Sequence, residues 1–341
     1  MRKALIIEQS VVQWQISTPL RDNICKTVNY LSQRSQERLA TCDPLVNATR
    51  VSIFNPEFSE VEIELRLPKR ECTKVFTFQD KLVFIDDYQS KKESGSRRVD
   101  LMDISTGQVS SLPDTIKARL FPDGVATENE IFVYETDVLS KSPDRFSKEV
   151  YEAALGRWSF LPPMFEERTR CAAVNIPDYG VLFIGGKGRN GSPLRSTELL
   201  TRQSAEVAGG GGEKWQWLPY IPMNKEHRGE PLAVYFQGRV YVVGCGEYVD
   251  AMEMLDVAAG SQWTSITFFS LPPDQRLRIE SMARVGNELF VLGNEIEVIN
   301  LNTTYVRLAN FSIELNGDSK LTKWIRRKYG PCGKLQTVHL K

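Results

Sequence analysis

The chain has 341 residues, with 43 Lys and Arg balanced by 43 Asp and Glu, so its formal net charge at pH 7 is zero. That balance excludes a general nucleic-acid or membrane-surface binder, which would need a positive field. No window approaches the roughly 20 apolar residues of a membrane span. Two histidines and six scattered cysteines, none in a Cys-x-x-Cys pair, provide no metal-ligand spacing, and no metal or cofactor is expected.

In chain order, residues 1–45 form a separate N-terminal segment. Thr18-Pro19 can cap a helix, and Leu20, Ile24, Val28 and Leu31 follow at helical spacing, so a short helix with one apolar face is expected. The apolar run from Ala4 to Ile7 is shorter than the core of a signal peptide, which points to a cytoplasmic chain. The sequons at Asn47, Asn190, Asn302 and Asn310 are accordingly read as unused, and the cysteines as reduced.

From residue 46 onward the chain repeats. Short apolar strands read KLVFIDD, EIFVYET, GVLFIGG, RVYVVGC and ELFVLGN, and their first following residues are Asp86, Glu135, Gly185, Gly244 and Gly293. Successive spacings are 135 − 86 = 49, 185 − 135 = 50, 244 − 185 = 59 and 293 − 244 = 49. A mostly β period near fifty residues is that of a propeller. A second apolar run follows each strand: Val99 to Met102, Val150-Tyr151, Glu198 to Leu200, Met252 to Leu255 and Ile296 to Ile299. A third run ends in Leu-Pro at Leu112-Pro113, Leu161-Pro162, Leu218-Pro219 and Leu271-Pro272, with Trp158, Trp217 and Trp263 ahead of the last three. The fifth copy has Tyr305 and no Leu-Pro. Proline cannot donate to a sheet ladder, so it marks the exit of a strand.

The two ends supply half-repeats. Val51 to Phe54 and Val61 to Leu67 read as the outer half of a blade, and Lys323 to Lys328 and Leu335 to Leu340 as its inner half. With the mark on His339 the spacing is 339 − 293 = 46. The expected fold is therefore all-β: a six-bladed β-propeller over residues 46–341, closed by N- and C-terminal half-blades, two strands from each end. Closure removes the exposed edges that otherwise invite aggregation.

The parts of the repeat resemble the kelch repeat. Gly185-Gly186 after VLFI, the strand carrying Glu198-Leu199, and Trp215 or Trp217 before the exit fit its pattern, as do Gly244, Met254 and Trp263. Asp86-Asp87 and Glu135-Thr136 stand where the diglycine would be. The resemblance covers roughly residues 46–341. It implies a non-enzymatic protein-interaction module, best read as a substrate-recognition or adaptor propeller of a cullin-type ubiquitin ligase. The alternative is an actin-binding cytoskeletal scaffold. Adaptors of that kind usually carry BTB and BACK domains upstream, and neither fits at full length into 45 residues.

Motifs for catalysis are weak. Gly186-x-Gly188-x-x-Gly191 spells a dinucleotide fingerprint, but Ser192-Pro193 follows where a helix would have to start, so it reads as a kelch loop. No Gly-x-Ser-x-Gly or convincing carboxylate pair is present, and no enzyme is expected. Gly209 to Gly212 is a flexible insertion that accounts for the 59-residue spacing.

One pattern points to a partner. A basic residue precedes each mark by 15 or 16 positions: Arg70, Arg119, Arg170, Arg228, Arg278 and Lys323. Arg168 and Arg276 double the position in two repeats. Equal offsets imply equal height around one axis, hence a ring near the channel mouth. Either these side chains pair with an acid of a neighbouring blade, or they bind an acidic peptide segment through the forked guanidinium. Loops after the marks add Arg97 and Arg98, Arg145, and Arg189 and Arg195 to the same face.

Overall fold

The computed structural model describes residues 37–44, 48–68, 74–85, 88–89, 94–135, 146–203, 214–260, 262–266, 276–286, 288–300, 303–315, 321–326 and 334–340. Among them the chain is all-β, and its sheets are arranged as a propeller. Six four-stranded antiparallel sheets are present, here numbered I to VI. Sheet I contains Lys334–His339, Glu37–Pro44, Ala48–Phe54 and Val61–Pro68; sheet II contains Lys74–Phe78, Lys81–Ile85, Val99–Asp103 and Val109–Ser111. Sheet III contains Pro122–Ala126, Glu130–Glu135, Glu149–Glu152 and Arg157–Phe160; sheet IV contains Ala172–Ile176, Gly180–Ile184, Thr197–Gln203 and Lys214–Tyr220. Sheet V contains Pro231–Phe236, Arg239–Gly244, Glu253–Asp256 and Thr264–Ser265, and sheet VI contains Arg276–Val285, Glu288–Asn300, Thr303–Leu315 and Leu321–Arg326. The first strands touch in sequence, II to III, III to IV, IV to V, V to VI, VI to I and I to II.

The five repeated apolar runs are the second strands. They read as continuous apolar stretches because each is covered on both faces. Alternate side chains serve opposite neighbours, as the two-residue strand period requires. Val181 and Phe183 pack toward sheet III with Phe132 and Tyr134, while Leu182 and Ile184 pack toward sheet V with Val240 and Val242. Corresponding apolar clusters fill the spaces between the other neighbouring sheets; that between VI and I joins Phe290 and Leu292 to Leu39 and Phe54.

The tryptophan and Leu-Pro markers meet across these spaces. The indole N–H of Trp158 donates to Pro113 O, that of Trp217 to Pro162 O and that of Trp263 to Ile221 O, each at 2.8 Å. Each outer strand is thus tied to the point where the preceding sheet's outer strand ends. Burying the ring while pairing its N–H satisfies both halves of an amphipathic side chain.

The closure differs from the expected two strands from each end. Leu321–Arg326 pairs with Thr303–Leu315 as the outer strand of sheet VI, so Lys323 belongs there and not to an inner strand. Lys334–His339 pairs instead with Glu37–Pro44, from Glu37 opposite His339 to Cys42 opposite Lys334. Sheet I therefore takes three strands from the N-terminal side and one from the C-terminal side. Glu37–Pro44 escaped the sequence reading because polar residues interrupt its short apolar set: Leu39 faces sheet VI, and Ala40 and Cys42 face sheet II. Among the described residues the sheets thus begin at Glu37, ahead of the boundary drawn at 46. A second difference lies in sheet VI, where Ile296 to Ile299 continues the second strand, and Tyr305 sits in the third strand. The expected helix over residues 18–31 and the glycine run 209–212 lie outside the described residues.

Candidate functional site

The face at the starts of the first strands carries the loops between second and third strands and the connections that pass from one sheet to the next. Three of these connections share one construction. In the connection into sheet III, Glu149 accepts hydrogen bonds from the backbone N–H groups of Ile116 and Lys117 at 2.6 and 2.9 Å, and Arg119 Nη1 lies 2.6 Å from the same carboxylate. In the connection into sheet IV, Glu198 accepts from the N–H groups of Phe165 and Glu166 at 2.9 Å each, and from Arg168 Nη2 at 2.8 Å. In the connection into sheet V, Glu253 accepts from the N–H groups of Asn224 and Lys225 at 2.9 and 3.1 Å. Here His227 takes the place of the arginine, with its Nε2 3.5 Å from Glu253 Oε1, a contact too long for a good hydrogen bond.

A carboxylate at the third strand fixes each of these corners because it can accept several donors at once. In sheet II, Asp100 occupies the matching register and is held by Arg98 at 2.9 Å and Ser111 Oγ at 2.6 Å. His227 has a second carboxylate: its Nδ1 lies 2.7 Å from Glu247, which also accepts from the N–H groups of Arg228 and Gly244. Burial pushes the imidazole down, but its bonds to Glu247 and Glu253 outweigh that and raise its pKa above the ordinary value. Burial also opposes ionisation of the two glutamates, and their contacts with His227 and backbone N–H groups prevail and lower both.

These corners correct the expected arginine ring. Arg119 is 1% exposed and held by Glu149, so it is not presented to a partner. Its counterparts are Arg168 and His227, three residues after Phe165 and Asn224 as Arg119 is after Ile116. Arg170 and Arg228 occupy other positions. Arg170 aligns with Phe121 and Gly229, and all three have left-handed backbone, φ 50°, 48° and 76°. Arg170 lies 3.9 Å from Glu230 at the axial channel, whereas Arg228 is exposed and offers its backbone N–H to Glu247. Arg278 is exposed, with its guanidinium 5.3 Å from the Tyr248 ring. Fixed offsets from the marks had mixed separate structural positions into one series. Arg70 and Arg145 lie outside the described residues.

The remaining predicted residues do share this face. Arg97 is exposed and donates to Thr115 O, and Arg98 is exposed beside Asp100. Arg195 is exposed, with its carbonyl bonded to Met223 N. Arg189 is 72% exposed, paired with Glu167 and set 5.3 Å from the Phe146 ring. Together with Gly188, Asn190 and Leu194 it lines an open groove of about 690 Å³. The opposite wall is Met164, Phe165, Glu166 and Glu167. Phe165 is 70% exposed, Phe121 47% and Ile116 41%. The apolar members of this face were not found from the sequence. Each stands immediately beside a corner, and the signal was the interval from cation to acid, 149 − 119 = 30 and 198 − 168 = 30.

The glycine motif is a loop. Lys187-Gly188 pairs with Arg168-Thr169, Gly191 N–H bonds to Gly188 O, and a strand, not a helix, follows. A Cβ on Gly186 would fall 2.4 Å from Thr169 O, so the glycine serves close backbone approach. Cys42, Cys171 and Cys245 are free thiols, and burial pushes all three up. No helix among the described residues is long and apolar enough to cross a membrane.

No protein-family model matches the chain, and no curated protein does. Among solved structures the chain is similar to that of YjhT, with a TM-score of 0.52 and 9% identity over 80% of this chain and 97% of that one. At that identity the likeness is one of fold alone.

Proposed function

We propose that the chain is a six-bladed, kelch-type propeller acting as a non-catalytic protein-interaction module, with its partner face at the starts of the first strands. The six sheets and the closed succession of first strands support the count of six. The observation that carries the function is the exposure of Ile116 and Phe121 on the connection into sheet III and of Phe165 on the connection into sheet IV, on the face that also carries Arg97, Arg98, Arg189 and Arg195. Aromatic residues and arginine are enriched where proteins meet. The partner is a protein segment that inserts an apolar side chain beside Phe165 and places acidic residues toward the arginine rim.

Within that reading, substrate recognition for a cullin-type ubiquitin ligase and scaffolding of actin are the two roles implied by the kelch resemblance. Affinity purification of the full chain from native cells, followed by actin cosedimentation, separates them: recovered cullin supports the first and pelleting with filaments the second. The face itself is tested with Phe165→Ala and Arg189→Ala. Each should weaken the recovered partner, the first by about 2 kcal/mol if Phe165 is a central anchor, while the melting temperature stays near that of the parent. A partner whose affinity is unchanged in both variants would refute this face.

A further inference from the structure

The connections into sheets III and IV share a construction but not a hydrogen-bond balance. In the connection into sheet IV every nitrogen of the Arg168 guanidinium is used: Nε donates to Glu166 O, Nη1 to Gly185 O and Ser196 O, and Nη2 to Ser196 Oγ and Glu198. In the connection into sheet III, Nη1 of Arg119 alone serves both Lys117 O, at 3.2 Å, and Glu149, at 2.6 Å. Its Nε and Nη2 are buried and have no hydrogen-bond partner among the described residues. Ser147 stands two residues before Glu149, as Ser196 stands two before Glu198, and its Oγ is also buried without a partner among them.

Nε and Nη2 lie on one edge of a guanidinium and point two N–H groups the same way, the fork that suits an anion. Arg119 is 1% exposed, so bulk water does not serve that edge. Buried donors left unpaired are costly, and such a group calls for a bound water or ion. Charge separates the two. Where the connection into sheet IV has Glu166, that into sheet III has Lys117; Gly185 is matched by Glu135, and Thr197 by Lys148. Lys117 pairs with Glu135 at 2.9 Å, as Arg119 does with Glu149. Lys148 is 3% exposed, donates to Phe146 O at 3.3 Å and lies 5.7 Å over the Phe183 ring. No carboxylate of the described residues is within ion-pair distance of it. Burial pulls its pKa down to about 8, which leaves it mostly charged at pH 7. This end of sheet III therefore buries one positive charge in excess, which an anion balances and a water does not.

We propose that the connection into sheet III holds a buried halide ion of the size of chloride, on Nε and Nη2 of Arg119 and the Ser147 hydroxyl. The near absence of solvent favours a monatomic ion over an oxyanion. The ion braces the connection that carries Ile116 and Phe121, and it uses none of the residues assigned to the partner face.

The test compares the melting temperature of the full chain in sodium chloride and in sodium gluconate, whose anion is too large for the site, at equal concentration. Chloride should raise it by a few degrees, and by more as its concentration rises. General salt effects act on every variant, so the site's own share is what the right substitutions remove. The chloride increment should fall to about half or less in Arg119→Lys and in Ser147→Ala. It should remain whole in Ser196→Ala, the same change in the other connection. A crystal soaked in bromide should show an anomalous peak beside Arg119 Nε and Nη2. Three results would overturn the proposal: equal melting temperatures in the two salts, a chloride increment in Ser147→Ala as large as in the parent, or no bromide peak at Arg119, which would leave water on that edge. If Arg119→Lys proves unfolded by circular dichroism, Ser147→Ala and Ser196→Ala still decide, since loss in the first with retention in the second is required.

Discussion

Two corners of this molecule are closed by arginine and one by histidine, although all three hang on a glutamate in the same place. Arg119 on Glu149 and Arg168 on Glu198 are permanent charges in sites with almost no solvent. His227 on Glu253 is equally buried, but it can drop its proton, and it has recruited Glu247 as a second acceptor. The difference teaches that the repeat conserves a task within the chain, pinning the connection between sheets, and not a side chain. A carboxylate that holds two backbone N–H groups is the fixed part, and the cation is adjustable. An imidazole can lose its proton near neutral pH, so the histidine corner makes the link from sheet IV to sheet V conditional.

The comparison is broken most severely by removing a glutamate. Glu198→Ala leaves Arg168 buried without its carboxylate and strips two N–H groups of their acceptor. A loss of about 3–5 kcal/mol is expected, as for other buried pairs broken from one side. Glu253→Ala should cost clearly less, about 1–3 kcal/mol, because His227 keeps Glu247 and can become neutral. Urea unfolding of the two variants checks this. Equal losses would mean that the histidine corner has no such freedom.

A smaller effect, set by pH, sharpens the same contrast. The raised pKa of His227 adds stability that is fully present below its ordinary value of 6.5 and is lost as pH rises through the folded value. The lowered pKa values of Glu247 and Glu253 add stability that is present above their ordinary 4.5 and is lost as pH falls through the folded values. The corner is therefore firmest between those two ordinary values. Each unit of difference between folded and unfolded pKa corresponds to about 1.4 kcal/mol. Melting temperature followed from pH 6 upward should decline in the parent and decline less in His227→Gln. Parallel profiles would show that His227 is neutral throughout.

How much of this was legible depends on where each residue stands. The second strands were plain because burial on both faces leaves unbroken runs such as Val181 to Ile184. Trp158 and Pro113 were each visible as markers, but the hydrogen bond that joins them crosses between sheets and has no trace along the chain. Glu37–Pro44 was missed because its apolar residues are few and broken by polar ones, and its pairing with Lys334–His339 spans the length of the sequence. The corners were half visible. Their letters were noted, but hairpins of different length between the first and second strands put Arg119 sixteen residues before its mark and Arg168 seventeen, so an offset of fifteen or sixteen selected Arg170 instead. The axial cavity was hidden for a stronger reason: its lining residues, such as Lys74, Ala173, Ala233 and Leu335, come from strands far apart in sequence, and only ring closure brings them together.

The smallest effect separates the corners from the face they support. Two residues beyond each corner the backbone is left-handed, at Phe121, Arg170 and Gly229. The histidine corner has the residue suited to that conformation, while the arginine corners hold bulky side chains there against a strain of about 1 kcal/mol. Phe121 is exposed, so the strain is not offset by deep burial of its ring. Phe121→Gly should relieve the backbone in the folded state while loosening the unfolded chain. The two contributions oppose each other and leave stability within about 1 kcal/mol of the parent. Partner affinity should fall, since the variant removes an aromatic ring from the face around Phe165. A large loss of stability would instead make Phe121 a packing residue of the corner and take it out of the partner face. Unchanged affinity together with unchanged stability would leave the arginine corners as scaffold alone.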